Sequence, residues 1–415
     1  MRIDRTPNNP TLFGVMLADL TAPGGRRLAA PHDWAMISPS SRKGSMKMSA
    51  DANRSGANQF VLLDFLRFVC SILVLIFHYE LFIINGDPEI KAMFTSFASG
   101  VDFFFILSGF VIAYSYSGKM GSLKDYMVFM QRRIARLYPL HVLTLFLAGS
   151  MAITASLIGF EVSSSERYHV KYFFGQLLMV HAWGFHDRLS FNIVSWSISV
   201  EFFAYLVFPV ILAMIARLPA WAGCAASLCC IGLASVIAQA QGGASWHARS
   251  YDFGILRGVP LFFLGVVLWR LWLSLAQTVR VDWIWPTIGI LICGTLLFSQ
   301  NNTYALIAAF AMTILITALY ESQHKLTDGR WKQVLKRLGD LSYGIYMYHL
   351  LIGIGIFTVA TRHMEFLEGR YWITAPLSTV ITLAVSLYSF KYIEDPLRNY
   401  FGRLGHKPRT STQNT

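Results

Sequence analysis

The stretch LDFLRFVCSILVLIFHY, residues 63–79, lies in the first long apolar run of the chain and holds two ionisable side chains, Arg67 and His78. Ionisable groups are expensive in hydrocarbon, so their presence in such a run indicates a functional site. Eleven residues are close to three helical turns, so both side chains lie on one helix face, about 16 Å apart along the axis. The pattern predicts a site that extends across a membrane.

The composition of the whole chain is that of a membrane protein with several spans. Of its 415 residues, 54% are hydrophobic and only 14% are charged, and the mean hydropathy is +0.47. Basic residues give a net charge of +12, but they lie at span ends and in the tails, which argues against a nucleic-acid partner. The five cysteines lie in apolar stretches without metal-ligand spacing, so no metal site is expected.

Ten apolar runs are long enough to cross a membrane. Lipid leaves no water for unpaired backbone groups, so each run is predicted to be a helix. The predicted fold is an all-α, polytopic membrane helix bundle of about ten transmembrane helices. The runs are 60–84, 98–117, 138–160, 195–216, 221–241, 253–273, 283–299, 302–320, 340–360 and 373–393.

The distribution of positive charge predicts the orientation of this bundle. With residue 1 in the cytoplasm, the inner loops and C-terminal tail hold 17 Lys and Arg residues and the outer loops hold 7, before the N-terminal tail is counted. Positive residues concentrate on the cytoplasmic side, so both termini are predicted to be cytoplasmic. We expect a disordered basic tail over 1–57, a transmembrane domain over 58–400 and a second cytoplasmic tail over 401–415.

Three polar side chains are predicted near the outer end of the bundle, on three different spans. Asp102 enters the second span and Glu201 the fourth, at a depth similar to that of His78. A histidine with carboxylates is the set needed for general base catalysis. Two other interpretations stay open: Asp102 can cap its helix, and His349, near the midplane of the ninth span, can simply bond to a backbone carbonyl.

A basic cluster precedes the third span on the inner side, formed by Arg132, Arg133 and Arg136. Such a cluster can bind phosphates or anchor the span as a positive-inside signal. The residues alone are therefore compatible with three classes of function. The first is an enzyme that binds an anionic ligand at the inner face, and the second is a proton-coupled exporter or flippase that uses His78, Asp102 and Glu201 as a proton relay. A non-catalytic membrane sensor is the third class.

Six segments, in order over about 60–401, resemble motifs of the membrane acyltransferase 3 family of bacterial O-acyltransferases. The first is the stretch that holds Arg67 and His78. The others are GVDFFFILSGFVIAY (100–114), RRIARLYP (132–139), SWSISVEFFAYLVFP (195–209), LGDLSYGIYMYHLLI (338–352) and IEDPLRNYF (393–401).

The resemblance implies an enzyme of the bacterial cytoplasmic (inner) membrane that moves an acyl group, usually acetyl, from cytoplasmic acyl-CoA to a carbohydrate or lipid-linked glycan hydroxyl outside. Acyl-CoA is then the donor substrate, and no permanently bound cofactor or metal is expected. His78 would be the catalytic base, with Glu201 or Asp102 holding its imidazole. Arg67, Arg133 and Arg136 would bind the CoA side, and membrane lipids would surround the bundle.

Overall fold

The computed structural model describes residues 60–83, 94–159, 165–299, 302–324, 329–363 and 370–403. The N-terminal tail predicted over 1–57 and most of the C-terminal tail lie outside these residues. The part of the chain that is described contains helices and turns but no strand.

The predicted polytopic helical bundle is confirmed. Among the described residues, nine helices are long and apolar enough to cross a membrane. A tenth, α7, has only 16 residues and spans about 24 Å. The helices are α1 Val61–Ile83, α2 Gly100–Tyr116, α3 Leu123–Leu157, α4 Trp196–Arg217, α5 Ala220–Gln241, α6 Ile255–Leu275, α7 Ile284–Ser299, α8 Thr303–Gln323, α9 Arg330–His363 and α10 Tyr371–Ser389.

Helix α3 begins well before the apolar run that predicted it. Ser122 caps its first turn: the Ser122 hydroxyl accepts a hydrogen bond from the backbone N–H of Asp125 at 3.2 Å. The helix then continues through Pro139 without ending. Arg133 and Arg136 therefore lie within a continuous helix rather than in a loop, and their directions are fixed by its geometry.

The last two spans also extend beyond their apolar runs. Helix α9 begins at Arg330, ten residues before the predicted start. Helix α10 passes through a π-helical turn, Phe390–Glu394, into a final helix, Asp395–Arg403. These extensions carry charged residues, which a hydropathy window excludes. They bring charged side chains of α9 and of the final helix to the end of the bundle where α1 begins.

The central helices α2 and α6 pack closely because glycine removes the side chains at their crossing. A Cβ added at Gly109 would lie 2.0 Å from the Phe262 carbonyl oxygen, and one added at Gly265 would lie 2.0 Å from that of Ile106. Small residues permit such backbone approach in membrane helices. In contrast, α5 is peripheral, with 17% of its best apolar window buried against 67% for α2.

Helix α1, which carries Arg67 and His78, is held at its first turn by a carboxylate from α8. Glu321 accepts hydrogen bonds from the backbone N–H groups of Leu62 and Leu63, at 3.0 and 3.3 Å. The first N–H groups of a helix have no hydrogen-bond partner within the helix. The buried carboxylate of Glu321 accepts hydrogen bonds from two of them, and its negative charge interacts favourably with the positive end of the helix dipole. Together with extensive packing against α9, this contact fixes the position of α1.

Candidate active site

A cavity of about 650 Å³ opens at the end of the bundle where α1 begins, and we call it the basic cavity. Arg67 lies in its wall, bonded to Asp64 at 2.5 Å. The charged lining residues are Asp64, Arg67, Arg136, Lys336, Asp340, Glu394, Asp395 and Arg398. Four of these residues are basic and four are acidic, and they come from α1, α3, α9 and the C-terminal segment. The name of the cavity refers to its arginines.

A narrower space of about 90 Å³, the central chamber, continues from the basic cavity into the bundle. Three guanidinium groups line it, those of Arg67, Arg133 and Arg136, together with the carboxylate of Glu201. Arg67 and Arg136 also line the basic cavity. The structure therefore brings together the arginines that the sequence placed on α1 and α3, beside a single carboxylate.

Arg133 is held in an aromatic cage. Its guanidinium lies 5.3 Å from the centre of the Tyr116 ring, 5.8 Å from that of Phe129 and 5.9 Å from that of Tyr205. It also donates a hydrogen bond to the Tyr116 hydroxyl at 3.2 Å. The buried Nε atoms of Arg133 and Arg67 have no hydrogen-bond partner among the described residues. Buried donors without partners are uncommon and need an explanation, such as a ligand.

Glu201 lies with the arginines and not with His78. Its Oε1 accepts hydrogen bonds from Ser108 at 2.8 Å and from the Tyr205 hydroxyl. The expected contact between Glu201 and the imidazole is therefore wrong. The prediction rested on depth along the helix, but the rotation of α4 about its own axis turns this side chain towards the central chamber.

A third space of about 690 Å³, the histidine cavity, lies on the other side of the central chamber. Val101 and Tyr346 line both spaces, so the two spaces adjoin at these residues. The Tyr346 hydroxyl donates to the backbone oxygen of Val194 at 2.9 Å and accepts from Ser197 at 2.7 Å, which holds the Tyr346 side chain in place. The three cavities follow one another through the bundle, from arginines at one end to His78 at the other.

His78 lines the histidine cavity and contacts a second histidine. Its Nδ1 lies 2.9 Å from the carbonyl oxygen of Val74 and 3.1 Å from Nε2 of His349. The Nδ1 of His349 lies 3.0 Å from the carbonyl oxygen of Ile345. The sequence left open a simple backbone bond for His349; the structure shows that bond and, in addition, a contact with His78.

Asp102 does not support His78 either, because its carboxylate forms an ion pair with Arg257 of α6. Arg257 Nε donates to one oxygen of Asp102 at 2.7 Å and its terminal nitrogen donates to the other at 3.1 Å. Both side chains are buried. Asp102 does not cap α2, whose N-cap residue is Ser99. The expected support of the imidazole by Asp102 is therefore wrong, and a relay of His78, Asp102 and Glu201 is not formed.

Arg257 also shapes the histidine cavity. Its guanidinium lies 5.4 Å from the centre of the Trp196 ring, and both residues line the cavity. Burial, reinforced by the positive charge of Arg257, lowers the pKa of His247 in the same wall. Sequence analysis missed Arg257, although an arginine inside the sixth apolar run carried the same signal as Arg67.

The loop before α4 is tied to α3 by a buried glutamine. The Gln176 side chain bonds Ser190 and Ser195, and its backbone oxygen accepts from His141 Nε2 at 2.7 Å. This loop contains a short helix, Val170–Leu177. These hydrogen bonds hold the loop against α3.

Comparison with known proteins identifies the family of the chain. Residues 60–391 match the family model described as an acyltransferase domain. The chain belongs to this acyltransferase family. The resemblance seen in the six motifs is confirmed.

Individual relatives agree with this assignment. The chain is 28% identical over 338 residues to Acyltransferase MdmB of Streptomyces mycarofaciens, covering 73% of this chain and 81% of the relative. It is 25% identical over 347 residues to Nodulation protein 10 of Rhizobium leguminosarum bv. viciae, covering 75% and 85%. A putative O-acetyltransferase of Staphylococcus aureus is 23% identical over 81% of this chain and 57% of its own length. No solved structure matches.

The family, together with the nine apolar helices of spanning length among the described residues, makes the chain a multi-pass membrane acyltransferase. This assignment favours the enzyme over the exporter and the sensor.

Proposed function

We propose that this membrane acyltransferase binds acyl-CoA, with acetyl as the acyl group, at the basic cavity and transfers the acyl group to a carbohydrate hydroxyl in the histidine cavity. One observation carries the proposal: the central chamber, lined by Arg67, Arg133 and Arg136, shares lining residues with the basic cavity on one side and with the cavity of His78 on the other. The positive-inside rule assigns the basic cavity to the cytoplasmic side of a bacterial inner membrane. The acceptor would then meet the enzyme at the outer face.

The arginines suit the anionic donor. CoA carries phosphate groups, and guanidinium groups bind phosphate through two parallel hydrogen bonds. The unpartnered Nε donors of Arg67 and Arg133 support an anionic ligand at this place. The aromatic cage keeps the guanidinium of Arg133 in position. A phosphate group of CoA would lie among these arginines, where the central chamber meets the basic cavity, and the pantetheine arm with its thioester would extend from there towards the histidine cavity.

His78 is suited to act as the general base. A backbone carbonyl only accepts hydrogen bonds, so the contact with Val74 gives the ring hydrogen to Nδ1. Nε2 then holds the free lone pair. Nε2 would remove the proton of the acceptor hydroxyl as its oxygen attacks the thioester carbonyl. The bond between carbon and sulfur breaks, and the imidazolium returns its proton to the CoA thiolate.

Glu201 takes a different part from the one expected. It accepts hydrogen bonds from Ser108 and Tyr205 among three arginines. It would offset part of their mutual repulsion before the donor binds and keep the cage residue Tyr205 in place. Asp102, in turn, would stabilise the wall of the histidine cavity through Arg257.

The lining of the histidine cavity supports a polyhydroxylated acceptor. Trp196 offers an apolar ring of the kind that packs against a sugar face, and short polar side chains surround it. They are Thr95, Ser96, Ser99, Ser250, Asn302 and Thr303. Hydroxyl and amide groups can donate and accept hydrogen bonds with sugar hydroxyls, and a small number of polar groups in a largely apolar lining is typical of a site that orients a small molecule.

The test is transfer of labelled acetyl from acetyl-CoA to an envelope glycan fraction by the purified protein, with release of free CoA measured in parallel. General base catalysis contributes roughly 10²- to 10⁴-fold. We expect His78→Ala to lower kcat by that factor while acetyl-CoA binding and thermal unfolding stay unchanged. Near wild-type transfer by a folded His78→Ala protein would contradict the assignment of the base.

A further inference from the structure

The second histidine of the site has no role in the reaction as written so far. His349 is fully buried on α9, and its ring centre lies 4.9 Å from that of His78 on α1. The backbone oxygen of His349 accepts a hydrogen bond from the Tyr79 hydroxyl at 3.1 Å, which links α1 to α9 beside the two histidines. The two rings are therefore held in one arrangement by contacts on both sides.

The hydrogen-bond partners fix which nitrogens carry hydrogen. The carbonyl oxygen of Ile345 can only accept, so Nδ1 of His349 carries a hydrogen and its Nε2 is an acceptor. The carbonyl oxygen of Val74 fixes Nδ1–H on His78 in the same way. The Nδ1–H of His78 is then shared between Val74 and the lone pair on His349 Nε2, at 2.9 and 3.1 Å.

Resting on the proposed function, we infer that His349 is a positioning residue that orients His78 and stabilises its protonated form during acyl transfer. When Nε2 of His78 takes the hydroxyl proton, the ring becomes an imidazolium and its Nδ1–H becomes a stronger donor. The lone pair of His349 accepts that stronger hydrogen bond. The neighbour of a catalytic histidine commonly does this with a carboxylate.

A neutral imidazole has an advantage over a carboxylate at this depth. A buried carboxylate without a cation is strongly destabilising in an apolar interior. Between turnovers, with His78 neutral, a carboxylate at position 349 would have no cation to pair with. The two carboxylates expected to support His78 are engaged elsewhere, Asp102 by Arg257 and Glu201 by Ser108 and Tyr205.

The test compares two substitutions of His349. Leucine at this position removes the acceptor at similar size. Glutamine can place its amide oxygen where Nε2 lies and accept from His78. We expect His349→Leu to lower kcat about 10- to 100-fold, the range found when the partner of a functional histidine is removed, with an unchanged KM for acetyl-CoA. His349→Gln should recover most of the lost kcat.

The matched controls are His141→Leu and His141→Gln. His141 is equally buried on α3, and its ring bonds a backbone oxygen, but it has no contact with His78. All variants are compared per folded protein, from thermal unfolding in detergent. Because His141 has the same burial without the contact, its two variants should not show the selective loss and rescue of kcat.

Each other outcome overturns a separate statement. If His349→Leu and His349→Gln lose the same activity as the matching His141 variants, His349 only packs and the inference is wrong. If His349→Leu turns over at the wild-type rate while His78→Gln is inactive, the inference is wrong but the base stands. If His78→Gln itself remains active, the assignment of the base in the proposed function is wrong.

Discussion

The basic cavity and the histidine cavity have similar volumes, about 650 and about 690 Å³, and both contain an arginine paired with an aspartate, but the arginines differ in whether their Nε donors are bonded. In and beside the basic cavity, the buried Nε donors of Arg67 and Arg133 lack partners among the described residues. At the histidine cavity, Arg257 is fully engaged by Asp102. The first arrangement suits an incoming anion, and the second suits a neutral hydroxyl whose proton is moved.

The difference predicts what each charged residue does. Charges at the histidine cavity should contribute to folding stability, because they satisfy one another inside the protein. Charges at the basic cavity and central chamber should contribute to donor affinity, because part of their hydrogen-bonding capacity is left for the ligand. The following variants test that separation, beginning with the largest expected effect.

Asp102→Asn should destabilise the protein by about 3–5 kcal/mol, because it leaves Arg257 buried without its counter-charge. Unfolding in detergent, followed by heat or denaturant, measures the loss. The exposed Asp282→Asn is the control, and surface changes of this kind are usually within about 0.5 kcal/mol. If the Asp102→Asn protein were as stable as the wild type, the ion pair between Asp102 and Arg257 would not contribute to folding stability.

Arg136→Lys should weaken acyl-CoA binding about 10- to 100-fold without a matching loss of stability. Lysine keeps the charge but cannot present two parallel hydrogen bonds to a phosphate. Arg132→Lys is the matched control, since Arg132 is exposed and lines none of the three cavities. Calorimetry on the purified proteins gives both affinities. If Arg136→Lys and Arg132→Lys bind acyl-CoA with equal affinity, the arginine cluster acts as a positive-inside anchor and not as a phosphate site.

A double-mutant cycle should separate the two ends of the site. Glu201→Gln and Arg136→Lys both change the central chamber, so their effects on acyl-CoA affinity should couple by about 0.5–3 kcal/mol. His349 contacts His78 and lines none of the three cavities, so the effects of His349→Gln and Arg136→Lys on acyl-CoA affinity should be additive within about 0.5 kcal/mol. Coupling in the second pair but not in the first would contradict the position assigned to Glu201.

Local sequence determined much of this site in advance. The spacing of Arg67 and His78 predicted one helix that reaches both ends, and the structure places them in the basic and histidine cavities. The helical bundle followed from apolar runs, because lipid leaves the backbone few alternatives. Run lengths did not predict where α3 and α9 begin, since their charged first turns do not contribute to hydropathy.

The partners of the polar side chains could not be predicted in the same way. Asp102 and Arg257 are 155 residues apart, and they meet because glycines let α2 and α6 approach closely. Depth along a helix can be counted from a sequence, but rotation about its axis depends on packing with other helices. That rotation gave His78 a histidine partner and turned Glu201 towards the arginines.

Transfer across sealed membranes tests the central claim most directly, that donor and acceptor meet this protein from opposite faces. Right-side-out and inside-out vesicles that contain the protein receive labelled acetyl-CoA from the outer solution only. We expect labelled glycan in inside-out vesicles alone, where the basic cavity faces the donor, and none with His78→Ala. Equal labelling in both orientations, or labelling by a folded His78→Ala protein, would contradict this mechanism.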